Sequence, residues 1–93
     1  MKKRELDDRL WIDRRKLMQK ISEISKNLNI SKTVLDDIDE LLSHDEWGIA
    51  YETLCSEIYN KGIALDRESY LLIVSMGKIM EMSPWFWENI KVE

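Results

Sequence analysis

The helical pattern of this chain is clearest in residues 34–58, VLDDIDELLSHDEWGIAYETLCSEI. Apolar side chains recur there every three or four residues, which is the period of an amphipathic α-helix. The tetrapeptide SHDE at 43–46 interrupts the pattern, and its Ser-x-x-Glu spacing is that of a capping box. The stretch therefore predicts two consecutive helices joined by a tight turn, with Ser43 as the cap of the second.

These two helices carry different chemistry on their two faces. The inward-facing positions are apolar, and they are Val34, Leu35, Ile38, Leu41 and Leu42 on the first helix and Trp47, Ala50, Tyr51, Leu54 and Ile58 on the second. The outward-facing positions of the first helix are acidic. Because the inner faces are already supplied with core residues, the acidic side chains are expected at the surface.

The helical period continues on both sides of this stretch. A long basic helix is expected from about residue 4 to about residue 27. Gly62 is placed to end one helix, Asp66 to cap the next, and Ser83-Pro84 to open a short C-terminal turn. The buried side of the helix after Asp66 is expected to hold Tyr70, Ile73, Val74, Gly77 and Met80. With no period-2 run to indicate a strand, we predict an all-α fold, a single domain over 1–93 with a small bundle of about four main helices and a short C-terminal helical turn.

Charge is distributed unevenly along the chain. Residues 33–60 contain eight carboxylates and no Lys or Arg, whereas residues 1–32 hold ten of the 14 basic side chains. The segments 1–32, 33–60 and 61–93 carry formal charges of +5, −8 and −1. A net charge of only −4 divided in this way indicates attraction to a basic partner, or to the protein's own first helix. The eight carboxylates are Asp36, Asp37, Asp39, Glu40, Asp45, Glu46, Glu52 and Glu57.

The residues that enzymes and metal sites need are scarce. His44 is the only histidine, and we interpret it as a solvated histidine near a helix cap rather than as a catalytic base. Cys55 is the only cysteine, so the chain has no internal disulfide and no zinc-ligand spacing, and its helical position predicts a small buried hydrophobe. No glycine-rich phosphate loop occurs. We therefore expect a protein that is not an enzyme and that uses no cofactor, metal or small-molecule substrate.

Nothing in the sequence indicates a membrane or an export signal. No apolar run approaches the ~20 residues that span a bilayer. The basic start at residues 1–4 has no apolar segment behind it, as a secretory signal would. The expected location is cytoplasmic, with no membrane partner.

A basic stripe on the first helix offers a second binding surface. Arg9, Lys16 and Lys20 lie at i, i+7 and i+11, so they share a face that could follow nucleic-acid phosphates. Acidic residues lie among them and the net charge opposes a polyanion, so a small helical nucleic-acid-binding regulator is the alternative interpretation. A homo-oligomer that pairs the acidic helices with a neighbour's basic helix also stays open, and the sequence leaves the oligomeric state undetermined.

The aromatic residues Trp85, Phe86 and Trp87 occupy consecutive positions near the C-terminus. Three side chains in a row cannot all point the same way on a helix, so at least one is expected to be partly exposed or to meet another surface. Trp is a favoured anchor at protein interfaces. The triplet is therefore expected to act either as a partner anchor or as a lid on the core.

One family resemblance falls on the acidic stretch. Residues 46–59, EWGIAYETLCSEIY, follow the acidic helix and precede YLLI at 70–73, and this order resembles MafI-type immunity proteins. It is also similar to some immunity proteins of bacterial contact-dependent growth inhibition, over roughly residues 34–80. The resemblance implies a small α-helical antitoxin in the cytoplasm of the producing cell, which binds the C-terminal toxin domain of a secreted or surface-displayed effector. In this family the toxin is often an RNase, including RNases of the EndoU type.

The resemblance and the charge pattern lead to one hypothesis. A nuclease must present a basic groove to RNA, and an acidic helical patch can occupy that groove as a phosphate mimic. We expect the chain to bind a cognate basic nuclease toxin in this way. The residues expected to contact it are Asp36, Asp37, Asp39, Glu40, Asp45, Glu46, Glu52, Trp85 and Trp87.

Overall fold

The structure is a computed structural model, and it describes residue 16 and residues 19–93. The helices are α1 (residues 19–27), α2 (Lys32–Ser43), α3 (Trp47–Asn60), α4 (Arg67–Ile79) and α5 (Trp85–Glu88), and the strands are β1 (Ala64–Leu65) and β2 (Lys91–Val92). The all-α prediction is confirmed. The predicted start of the first helix lies outside the described residues.

Helix α3 is the centre of the core. It contributes five buried side chains, whereas α2 contributes only Ile38 and Leu42. The predicted inner stripe of α3 is buried except for Trp47, which is half-buried against the core. Val34, Leu35 and Leu41 of α2 are likewise half-buried, and they pack against the core. The buried residues of α3 are Ala50, Tyr51, Leu54, Cys55 and Ile58.

Helices α2, α3 and α4 end in the same way. The residue after each C-cap has a positive φ, which is 59° at Asp45, 63° at Gly62 and 56° at Glu81. After α3, the N–H of Ile63 donates to the carbonyl oxygen of Ile58 at 3.0 Å, and the N–H of Gly62 donates to that of Tyr59 at 3.1 Å. This is the Schellman arrangement, and the role predicted for Gly62 is confirmed.

The beginnings of the helices agree with the sequence patterns only in part. The Asp66 carboxylate accepts the N–H of Ser69 at 2.7 Å, as predicted, and this hydrogen bond lowers the pKa of Asp66. The capping box at Ser43 is wrong, because Ser43 is the last residue of α2 and its hydroxyl donates to the Glu40 carbonyl oxygen at 2.6 Å. Since the chain reverses at Asp45, α3 begins at Trp47 without a side-chain cap.

A short strand pair joins two distant parts of the chain. β1 and β2 are parallel, with Ala64 opposite Lys91 and Leu65 opposite Val92. The N–H of Glu93 also donates to the carbonyl oxygen of Leu65 at 2.8 Å. Strands of two residues are too short to show an alternating pattern, which is why the sequence did not predict them.

The C-terminal helix α5 is fixed by a close approach to α4. A Cβ atom placed at Gly77 would overlap the indole of Trp87 and would lie 2.5 Å from the hydroxyl oxygen of Tyr51. Tyr51 donates that hydroxyl to the carbonyl oxygen of Ile73 at 2.6 Å, and its ring meets Phe86 edge-on at 6.4 Å between centroids. Helices α3, α4 and α5 therefore meet at one buried contact around Tyr51.

Candidate partner-binding surface

Seven of the eight carboxylates in the acidic stretch are exposed. Within the described part of the chain, none of the seven lies within 4.0 Å of a Lys or Arg nitrogen. The eighth, Glu57, is half-buried, and its Oε2 lies 3.0 Å from Nζ of Lys61 without the alignment of a hydrogen bond. The exposed seven are Asp36, Asp37, Asp39, Glu40, Asp45, Glu46 and Glu52.

The acidic side chains of α2 divide between two sides of the helix. Asp39 lies toward α1, where it accepts a hydrogen bond from the hydroxyl of Ser22 at 3.4 Å. Asp37 and Glu40 lie toward α3 and line a groove of about 530 Å³. We call this the acidic groove, and its lining residues are Asp37, Glu40, Leu41, His44, Glu46 and Thr53. The structure thus gathers only part of the predicted carboxylate set into one concave site.

His44 is held at one end of the acidic groove. It is the exposed C-cap residue of α2, which agrees with its interpretation as a solvated histidine near a helix cap. Its Nδ1 lies 2.9 Å from the carbonyl oxygen of Glu40, which assigns a proton to that nitrogen as the donor. The imidazole therefore donates a hydrogen bond to a backbone carbonyl in the last turn of α2.

A second cavity lies at the other end of α3, where this helix meets α5. Trp85 is 56 % exposed and Tyr59 is 51 % exposed, and their ring centroids are 6.3 Å apart at an interplanar angle of 53°. The cavity has a volume of about 240 Å³. We call it the aromatic cleft, and its lining residues are Cys55, Ser56, Tyr59, Asn60, Trp85, Phe86 and Asn89.

The aromatic triplet divides between surface and core. Trp87 is 7 % exposed and lies against Gly77, so its assignment as a partner anchor is corrected to a core role. Trp85 is exposed and Phe86 is half-buried between the two. Sequence reasoning missed Tyr59, although it lies one position beyond the buried stripe that ends at Ile58. That offset was the only signal for its exposure.

Cys55 is buried, as its position on α3 predicted. Burial raises the pKa of its thiol to about 12, and the side-chain hydrogen bond to Tyr51 only partly opposes that rise. The protonated thiol is therefore the stable form near neutral pH, and Cys55 behaves as a small core residue.

The alternative basic surface is described only in part. Lys16 and Lys20 are both helical and exposed. Arg9, the third member of the proposed stripe, lies outside the described residues. The structure thus leaves two lysines of this stripe available for contact with solvent or a partner.

Residue 16 and residues 19–93 contain neither a candidate metal site nor a candidate membrane-spanning helix. In this part of the chain, no group of three or more His, Cys, Asp or Glu side chains could hold a metal ion. None of the helices described is long and apolar enough to cross a membrane.

Comparison of the chain with known protein families, curated proteins and solved structures finds no match. The resemblance to immunity proteins consequently rests on the sequence pattern of residues 34–80 alone.

Proposed function

We propose that this protein is an immunity protein that binds and neutralises a basic nuclease toxin, an RNase of the EndoU type. The observation that carries the proposal is the run of seven exposed carboxylates between residues 33 and 60, which have no Lys or Arg partner in the described part of the chain. The toxin's substrate groove is the partner surface, and the exposed carboxylates of the acidic helical patch block it. The resemblance of residues 34–80 to MafI-type immunity proteins supports the same function.

The charge of the surface suits this task for a physical reason. A nuclease binds RNA through cationic side chains directed at phosphates. Carboxylates held along a helix present a comparable row of negative charge, so they attract the same cationic side chains. Exposed charges mainly accelerate association, whereas a charge that becomes desolvated in the complex could cost ~2–5 kcal/mol when removed.

The arrangement has no evident benefit for folding. Asp36 and Glu40 form a like-charge i, i+4 pair on α2, which is slightly destabilising in a helix. Residues that lower the stability of the fold are found most often at functional sites. These residues support a role for the surface in binding.

The test is co-purification with the toxin domain encoded immediately upstream of this gene, together with protection of cells that express it. The variant is Asp37→Lys/Glu40→Lys, in the acidic groove, and the matched control is Glu23→Lys/Glu81→Lys, which makes the same change in net charge elsewhere. We expect the groove variant to lose protection and to associate more slowly, with a deficit that shrinks as salt screens the charges. Full protection and an unchanged association rate in a folded groove variant would show that the surface is wrongly assigned.

A nucleic-acid-binding regulator is the second candidate, and the exposure of Lys16 and Lys20 favours it. A gel-shift titration of the protein with RNA and DNA at low salt tests this function. Saturable binding that weakens with salt and disappears in Lys16→Glu/Lys20→Glu would support the regulator. Absence of binding in the wild-type protein would exclude it.

A further inference from the structure

The acidic groove and the aromatic cleft both include residues of one helical row on α3. Thr53 lines the groove, and Ser56 and Asn60 line the cleft. These residues are three and seven positions apart, so they lie in one row along the helix. The rise of an α-helix places Thr53 and Ser56 only ~4.5 Å apart along its axis. The two cavities are therefore neighbours on one surface.

An exposed apolar side chain extends this row toward the start of α3. Ile49 is 50 % exposed and lies four residues before Thr53, whose hydroxyl donates to the Ile49 carbonyl oxygen at 2.8 Å. From Glu46 to Asn60 the row spans ~21 Å of helix. We call it the α3 ridge, which comprises Glu46, Ile49, Thr53, Ser56 and Asn60.

The aromatic cleft combines exposed rings with hydrogen-bond acceptors. The side-chain amide nitrogen of Asn89 donates to the carbonyl oxygen of Trp85 at 3.3 Å. This bond orients the amide, and among the described residues no donor is bound to its Oδ1. Ser56 and Asn60 add a hydroxyl and a second amide, and the lining contains no Lys or Arg. Lys61 and Lys91 line the adjoining cavity, which shares Tyr59, Asn60 and Asn89 with the cleft. The cleft therefore suits a ligand with a flat face and several N–H donors.

We propose that the aromatic cleft binds an arginine side chain of the same basic protein that occupies the acidic groove. A guanidinium is planar, stacks on aromatic rings and carries five N–H donors, whereas a lysine ammonium is a strongly hydrated point charge. The continuity of the two cavities along the α3 ridge makes them one interface. The inference rests on the proposed function for the partner's identity, while the preference for arginine rests on the cleft alone.

The arginine preference can be tested without the partner. The full chain is titrated with N-acetyl-arginine methylamide, N-acetyl-lysine methylamide or N-acetyl-norleucine methylamide at equal ionic strength. Nuclear magnetic resonance then follows the indole N–H of Trp85 and the side-chain amides of Asn60 and Asn89. We expect a saturable response to the arginine compound that is at least about threefold larger than the response to lysine. An equal response to lysine, or no localised response to arginine, would overturn the proposal.

Two variants separate the cleft from other exposed apolar positions. Trp85→Ala should abolish the response to the arginine compound, and Leu71→Ala should leave it unchanged. Leu71 is the matched control because it is 53 % exposed on α4 and does not line the cleft. An arginine response that persists in folded Trp85→Ala contradicts the proposed site.

Binding to the toxin domain distinguishes this inference from the proposed function. We expect Trp85→Ala to weaken toxin binding at least about tenfold, as removal of a tryptophan anchor does, with Leu71→Ala unaffected. If Asp37→Lys/Glu40→Lys loses binding while Trp85→Ala keeps it, the cleft proposal is overturned and the immunity function stands. If both variants bind the toxin as the wild type does, both proposals fail.

Discussion

The indole of Trp87 lies directly against the backbone of Gly77, with no room for a side-chain carbon between them. The hydroxyl oxygen of Tyr51 approaches the same point, and its hydrogen bond to the Ile73 carbonyl oxygen joins α3 to α4. The docking of α5, and with it the position of Trp85 at the surface, depends on this contact.

Gly77→Ala should destabilise the fold by about 3 kcal/mol, because the added Cβ would overlap both the Trp87 indole and the Tyr51 hydroxyl oxygen, and both must move. The matched control is Gly48→Ala in α3, where no atom outside the helix's own backbone lies within 4 Å of the added carbon. That variant should gain roughly 0.5–1 kcal/mol from higher helix propensity. Urea unfolding measures both values, and equal effects of the two substitutions would contradict the close contact.

Glu81→Gly should stabilise the protein by about 0.5–1 kcal/mol. Glu81 has φ of 56° after the end of α4, a conformation that costs a residue with a Cβ atom roughly 1–2 kcal/mol. Glycine removes that cost but loses part of the gain to the greater entropy of the unfolded chain. Gly62→Ala introduces the same strain after α3, so it should lower the unfolding free energy by about 1 kcal/mol. Thermal unfolding of both variants should show shifts of opposite sign.

Asp36→Asn should raise stability while it weakens association with a basic partner. Neutralisation removes the like-charge pair with Glu40, which is worth roughly 0.2–0.5 kcal/mol at low salt. It also removes one negative charge from the exposed face of α2, which should slow association. The two effects are measured by denaturant unfolding and stopped-flow association. A variant that loses stability, or associates faster, would contradict this account of the acidic face.

The buried thiol of Cys55 should make stability fall at alkaline pH. Its pKa is raised from an ordinary value of 9.0 to about 12 in the folded protein, so between these values the unfolded chain loses its proton first. The stabilising contribution is therefore complete below about pH 9 and is lost as the pH rises toward 12. Burial also raises the pKa of Tyr51, which adds to the decline in the same direction.

Unfolding experiments at pH 8, 9 and 10 on the wild type and on Cys55→Ala test this dependence. The variant should be less stable at pH 8 because it lacks a buried side chain, but its stability should fall less steeply above pH 9. Parallel curves for the two proteins would show that the thiol does not titrate differently in the folded state.

The sequence predicted the burial or exposure of a side chain correctly wherever its position on a single helix determines it. The apolar period placed Tyr51, Leu54 and Ile58 in the core, and it placed the acids of α2 at the surface. The apolar period did not predict burial where it depends on the packing of one helix against another. Trp87 is buried and Trp85 exposed because Gly77 admits the indole of the former, and no pattern within residues 85–87 contains that information.

The helix ends show a second limit of the sequence patterns. Gly62 was readily predicted because glycine adopts positive φ without strain. Asp45 adopts the same conformation although it is not a glycine. The sequence therefore gave no sign that α2 ends there, and the capping-box pattern at Ser43 predicted the wrong start for α3. The aromatic cleft could not be predicted either, because Tyr59 and Trp85 become neighbours only once α5 has docked on α3.

The small share of α2 in the core has an evolutionary consequence. Only Ile38 and Leu42 of this helix are buried, so its outer positions carry little of the fold's stability. Substitutions there can accumulate without loss of the native structure. Gly77 and Tyr51, in contrast, are in close contact with each other, and Gly77 also with Trp87, so few substitutions fit at these positions. A protein built in this way can follow changes in its partner by altering one helix, and we expect divergent relatives to differ most on the outer face of α2.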